Sequence, residues 1–429
     1  MAPALHPGAS RLARVARSLS LAGDRTAELQ RFNDEDWRRI LPLCDHAHLT
    51  LPLGVRARHR LPSWVRERVD RNLEHNAIRH KRIMEAHLEI AKVLEAHGIE
   101  YVVLKGLTHY PYYCWELSHR PQYDLDLFCP PEAISRANQA LRELGYEPFR
   151  VLDPSVDHLP PLIRKSGWRP SGNYYDPDMP IAVELHHRFW NLATERFVPG
   201  SGTRFWERRV WERDPMMLPA LHPEDRLSYA AWHLLRHLVR GDARAYHVYE
   251  LAQFLHTTAQ DTEWWQGWKR SQSTHDAALI TFRLASDWFD CSLNPLVETM
   301  IHSLPSPLQR WFDIFSLSPL DANEEPNKDE LFLHLQLLQK PADCFRVLRR
   351  RLFPMHFQAP ILDAHVPSPS RALRWKRKLF KLHFIGTRLI HHLWTLLSFT
   401  RGCIRWHFAR GTQPVPRPQS TLPAKTDSA

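Results

Sequence analysis

Asp124 and Asp126 stand in the run Tyr123-Asp124-Leu125-Asp126-Leu127-Phe128, an apolar stretch with an acid at alternate positions. The alternation predicts a strand, with both carboxylates on one face and Leu125 and Leu127 on the other. At the usual rise the two acids are about 7 Å apart along the backbone. Facing a cleft, such a pair can hold divalent metal ions. Glu184 offers a third carboxylate, in Ile181-Ala182-Val183-Glu184-Leu185-His186, an apolar stretch where an unpaired charge is expensive. It is either a rim residue, paired with an arginine, or a third metal ligand. Two ions about 3.5–4 Å apart can clamp the entering and leaving oxygens of an in-line displacement, and need roughly three carboxylates to balance them. His186 shares the face of Glu184 and either packs or touches substrate.

Upstream, Lys105-Gly106 closes the apolar run Tyr101 to Leu104. It is either a plain strand-to-helix turn or a loop that brings backbone N–H groups and Lys105 to a triphosphate. Arg120 either contacts phosphate or neutralises the acids. A strand, a glycine turn, a helix and a strand bearing Asp-x-Asp is the order a nucleotidyl-transfer site needs. His233 and His237, four apart on a predicted helix, have metal-binding spacing but no evident third ligand.

The positioning elements are legible in outline. Residues 27 to 98 read as helical, broken by Pro42, Pro52 and Pro62 and stopped at Gly98. Strands are expected at Tyr101–Leu104, Tyr123–Cys129 and Tyr146–Val151, the last at an edge because of Pro148. Helices are expected at Thr108–Leu117, interrupted by Pro111, and at Pro131–Leu144. Asn173–Tyr175 and Ile181–His187 read as strands around a turn. From Pro223 the pattern is helical again, with Leu227, Ala231, Leu234 and Leu238 on one stripe, continuing through Leu352.

The set Val103-Leu104-Lys105-Gly106, Arg120, Asp124-Leu125-Asp126-Leu127, Leu144-Gly145-Tyr146 and Val183-Glu184-Leu185-His186 resembles a bacterial family of uncharacterised nucleotidyltransferases within the polymerase-β-like superfamily. The resemblance runs from about residue 27 to 355. It implies an α+β fold: a small mixed-sheet core, with N-terminal helices and a large C-terminal helical region. It also implies Mg²⁺-dependent (or Mn²⁺-dependent) transfer of a nucleotidyl group from an NTP, with Asp124, Asp126 and Glu184 as catalytic metal carboxylates. Lys105, Gly106 and Arg120 fall at its nucleotide-binding positions. Leu107 follows Gly106 where the wider superfamily usually has Gly-Ser or Gly-Gly.

The chain has 429 residues, enough for two or three domains. The expected divisions are a flexible or partly helical leader (1–26), a helical region (27–98), the catalytic core (99–215), a helical domain (216–360), a basic amphipathic tail (361–410) and a disordered end (411–429). The six cysteines are scattered without Cys-x-x-Cys, which argues against a zinc ribbon or disulfide framework and suits the cytoplasm. The net charge of +10 is uneven. Residues 364–426 hold twelve Lys/Arg and no Asp/Glu, leaving 45 basic and 47 acidic residues elsewhere. A near-neutral body disfavours a long nucleic acid as a stable partner. Small molecules, carbohydrates, peptide or protein hydroxyls and RNA ends stay open as acceptors. The tail interleaves Lys/Arg with aromatics and leucines at helical steps. It reads as a helix packed on the body, a helix on an anionic membrane surface, or a nucleic-acid patch. Two other functions stay open: a non-catalytic nucleotide-binding scaffold, and an adaptor run by the tail.

Overall fold

The computed structural model describes residues 9–149, 157–272, 274–353 and 371–408. Four helices precede the sheet: α1 (Arg11–Ser18), α2 (Asp34–His46), α3 (Thr50–Ala57) and α4 (Ser63–Ala96). Asn33 and Asp36 form a capping box that starts α2. Pro62 precedes α4 and Gly98, at φ +59°, follows it, both as expected. Pro42 does not break α2, although an interior proline costs about 3 kcal/mol. Its neighbours Ile40, Leu41 and Cys44 are wholly buried, and that packing outweighs the lost hydrogen bond. Pro52 lies in the first turn of α3, where no N–H is needed.

The segment 1–26, expected to be flexible or partly helical, carries the helix α1 in its described part. α1 buries Leu12, Val15 and Ala16 completely, so these residues are core. An eight-residue helix rich in arginine does not reveal from its own sequence that it has a partner. The expected disordered end, 411–429, lies outside the described residues.

The sheet contains β1 (Val102–Val103), β2 (Asp124–Phe128), β3 (Glu147–Pro148), β4 (Leu162–Ile163), β5 (Ala182–His186), β6 (Val210–Glu212) and β7 (Leu218–Ala220), in the order β3-β4-β5-β2-β1-β7-β6. β2 runs parallel to β5 and β1 to β7, and the other pairs are antiparallel. Pro148 is at the edge, as expected, though residues 150 and 151 lie outside the described set. The helix α5 (Ile134–Glu143) follows β2.

Two expected elements are absent. Thr108–Leu117 is not a helix: short 3₁₀ turns at Gly106–His109 and Leu117–His119 bracket an irregular stretch. Pro111 offers no N–H and disfavours a helical Tyr110. Asn173–Tyr175 is a turn, because the Asn173 side chain accepts the Tyr175 N–H at 2.9 Å. The antiparallel neighbour of β5 is instead β4.

After the sheet come α6 (Leu192–Glu195, within the sheet region), α7 (Pro223–Arg240), α8 (Ala245–Thr257), α9 (Thr262–Ser271), α10 (Asp276–Phe289), α11 (Pro295–His302), α12 (Ser306–Phe315), α13 (Ser318–Asp321), α14 (Glu330–Gln336), α15 (Pro341–Leu352) and α16 (Arg371–Phe408). Two cores result. Leu125, Leu127, Val183 and Leu185, on one sheet face, pack with Ile90 of α4 and Leu141 of α5. The larger core joins α7, α8 and α10 to α1–α3 around Trp37, Trp265, Trp268 and Trp288. The sheet face carrying the acids is turned toward α7, between these cores.

Candidate active site

The register of β2 against β5 sets Asp126 directly beside Glu184, with Asp124 opposite Ala182 and Phe128 opposite His186. Paired residues on neighbouring strands point the same way, so Asp124, Asp126, Glu184 and His186 share one face. Arg79, wholly buried on α4, aligns the two strands. Its guanidinium donates to the carbonyls of Gln122 (2.8 Å) and Tyr123 (3.3 Å) before β2, and of Met179 (2.7 Å) before β5. Burial lowers its pKa to about 10, which leaves it charged at neutral pH.

Asp126 is the most heavily engaged acid. Its Oδ1 lies 3.2 Å from His186 Nε2 and its Oδ2 lies 3.1 Å from Lys105 Nζ. Burial alone would raise its pKa, but Lys105 and His186 hold it well below the carboxylate range. His186 is likewise buried, yet Asp126 and Asp157 raise its pKa to about 9. Asp157 Oδ2 stands 3.8 Å from His186 Nδ1 and is paired with Arg236 of α7. A buried polar chain, Arg236–Asp157–His186–Asp126, therefore ties α7 to β2.

Asp124 and Glu184 differ from Asp126. Burial first, and then the charge of Asp126, push both upward, Glu184 to about 7. Glu184 Oε2 is 3.8 Å from both His158 Nε2 and His186 Nε2. Among the described residues the one group of three whose possible ligand atoms all lie within 4.8 Å of one another is Asp126, Glu184 and His186. Asp124 falls outside that group, although it lines the same cavity.

Lys105 bridges the two halves of the molecule. Its Nζ is 3.0 Å from His233 Nε2 on α7. Burial opposes the ammonium charge, but Asp126, Asp124 and Glu184 outweigh it and raise the pKa. Burial and then the charge of Lys105 keep His233 neutral, so its Nε2 accepts from Lys105. His237 Nε2 approaches His233 Nε2 at 3.2 Å, but no third ligand joins this pair among the described residues.

Gly106, at φ +77°, faces Gln122, and a Cβ there would lie 2.4 Å from Gln122 Nε2. That amide donates to Asp124 O at 2.8 Å, so the glycine lets the loop close on β2. Arg120 is held in a buried ion pair: its Nε is 2.6 Å from Glu250 Oε1 of α8, which also meets His109 Nδ1 at 3.1 Å. Glu250 thus fixes both ends of the irregular 106–120 segment.

These groups line one cavity of about 830 Å³ between the sheet, α7 and α8. Lys105, Arg120, Arg236, Arg240 and Arg244 supply its cationic side. Arg244 is exposed and has no carboxylate in ion-pair range among the described residues, unlike the other four. The sequence did not single out Arg79, Asp157, Arg236, Arg244 or Glu250. Only the fold brings them to the acids, and no local spacing marks them.

The donor set suits a hard divalent cation. Three carboxylates crowd one face of the cavity, two of them pushed upward partly by repulsion from their acidic neighbours, and oxygen ligands suit such an ion. A family model described as uncharacterised nucleotidyltransferase matches residues 33–290. No curated protein and no solved structure matches the chain. With well over half its length matched, the chain belongs to that nucleotidyltransferase family.

Proposed function

We propose that this member of the nucleotidyltransferase family transfers a nucleotidyl group from an NTP to an acceptor hydroxyl, releasing pyrophosphate, with Mg²⁺ or Mn²⁺ held by Asp124, Asp126 and Glu184. The observation that carries this reading is the pairing of Asp126 with Glu184, with Asp124 on the same face, at a cavity that also presents Lys105 and Arg244. When bound, the metal neutralises phosphate charge and lowers the pKa of the acceptor hydroxyl.

The chain's own residues do the rest. His186 and Lys105 orient Asp126. Lys105 and Arg244 draw the triphosphate toward the acids. Arg120, engaged by Glu250, shapes the loop after Gly106 and adds positive potential. The acceptor oxygen attacks the α-phosphorus in line, its bond forms, and the α–β bridging P–O bond breaks. Pyrophosphate takes the electron pair, and Glu184 takes the hydroxyl proton. The cavity volume suits a small molecule or the tip of a chain as acceptor.

The test is pyrophosphate release with each NTP and Mg²⁺ or Mn²⁺, read beside self-labelling by α-³²P-NTP. Wild type should turn over, and Asp124→Asn with Asp126→Asn should fall by at least about a hundredfold while remaining folded. Equal turnover in the double variant would refute the assignment. NTP binding without pyrophosphate release would favour a non-catalytic nucleotide-binding protein.

A further inference from the structure

The helix α16 spans 38 residues and turns two different faces outward and inward. His392, Thr395, Phe399, Gly402 and Trp406 recur at steps of three and four and meet the body. His392 Nε2 bonds the Leu352 carbonyl, and Phe399 and Trp406 stack on Phe332 with centroids 5.3 and 5.6 Å away. At about 100° per residue, the opposite face carries Trp375, Leu379, Ile390, Leu393, Leu397, Ile404 and Phe408. Each of these is between 57% and 73% exposed. A row of large apolar side chains that long is not what a solvated helix face requires.

We propose that this outer face lies on an anionic lipid bilayer, with α16 parallel to the surface and its apolar row in the boundary between headgroups and acyl chains. Residues 371–408 contain nine Lys/Arg and no Asp/Glu, and the exposed Lys376 and Lys378 adjoin Trp375. An apolar row among cations fits a surface that is negative outside and apolar beneath. A second copy of the same helix fits poorly, because the exposed cations of one copy would meet those of the other and residues 371–408 hold no carboxylate to pair them. A nucleic acid fits poorly too, because exposed Leu and Ile add little to phosphate binding. Among the described residues no helix is long and apolar enough to cross a membrane, so α16 lies on the bilayer and does not span it. Arg388, from the same helix, lines the cavity. One helix therefore touches both the proposed lipid surface and the candidate site. The proposal stands independently of nucleotidyl transfer.

The test is flotation of the full chain with phosphatidylcholine vesicles, with and without phosphatidylglycerol. Light scattering and binding of a single-stranded RNA are read on the same samples. Wild type should float with the anionic vesicles alone. Leu393→Glu with Leu397→Glu, and separately Ile404→Glu with Phe408→Glu, should each weaken flotation at least about tenfold while the protein stays monomeric. Thermal unfolding identifies any variant that fails to fold, and the lipid preference of wild type is decisive without it. Absence of flotation, equal flotation on neutral vesicles, or RNA retention without lipid binding would overturn the proposal. So would a dimer that the substitutions dissociate.

Discussion

Lys105 and Gly106 are adjacent but act through unrelated physics. Lys105 is electrostatic: buried beside Asp126 and His233, it keeps its charge because three carboxylates outweigh desolvation. Gly106 is steric. Its positive φ and the 2.4 Å that would separate a Cβ from Gln122 Nε2 leave no room for a side chain. Gly106→Ala should displace Gln122 from Asp124 O and cost about 1–3 kcal/mol, measured as a shift of the urea midpoint. Because Asp124 sits beside that bond, nucleotide binding should weaken with it. An unchanged midpoint would remove the glycine from the argument. At this scale the sequence was informative about the acids, because a period of two puts Asp124 and Asp126 on one face in any strand. It marked Arg120 but not its partner, because Glu250 lies 130 residues away.

Among the elements, α4 does more than cover the sheet. Its apolar positions Ile83, Ile90 and Leu94 support the lower face, while Asn76 and Arg79 on the same stripe bond the loops that feed the strands. Asn76 Nδ2 donates to the carbonyls of Ser118 (2.6 Å) and Arg120 (3.0 Å). Replacing Arg79 with Met keeps much of the stem but removes the guanidinium that donates to four carbonyls, those of Gln122, Tyr123, Met179 and Pro180. We expect a loss of about 3 kcal/mol in urea unfolding. We also expect lower affinity for Mn²⁺, read by paramagnetic broadening, because β2 and β5 lose a shared anchor. A stability loss with unchanged Mn²⁺ affinity would confine Arg79 to folding. β1, β2, β3, β5 and α7 were readable from periodicity, whereas β4, β6 and β7, each two or three residues long, were not. The irregular Thr108–Leu117 segment was only partly readable: Pro111 disfavours a helix there, and the buried Glu250–Arg120–His109 cluster, which no local pattern marks, holds the segment.

For the molecule as a whole, the two cores make stability depend on pH. His87, beside the sheet, and His334, in the helical region, are buried and lowered to about 4, chiefly by burial. The unfolded chain protonates both near the ordinary value of 6.5 given for histidine. Between these values the unfolded state binds the protons the fold excludes. Stability is therefore fully present above pH 6.5 and is lost as pH falls toward 4, on the order of 3 kcal/mol for each group. His87→Leu should flatten the fall of the urea midpoint over that window, and an unaltered slope would refute the assignment.

What the sequence determined by itself was local: the strands β1, β2 and β5, the helical flanks and three carboxylates on apolar strands, because periodicity and side-chain alternation are properties of neighbours along the chain. The tertiary structure alone decided that Asp126 and Glu184 are in register and that His186 backs Asp126. It also decided that Arg120 belongs to Glu250, that the apolar face of α1 is core, and that Arg244 reaches the cavity. Those facts depend on desolvation and on contacts between residues tens to hundreds of positions apart, and no spacing along a chain encodes them locally.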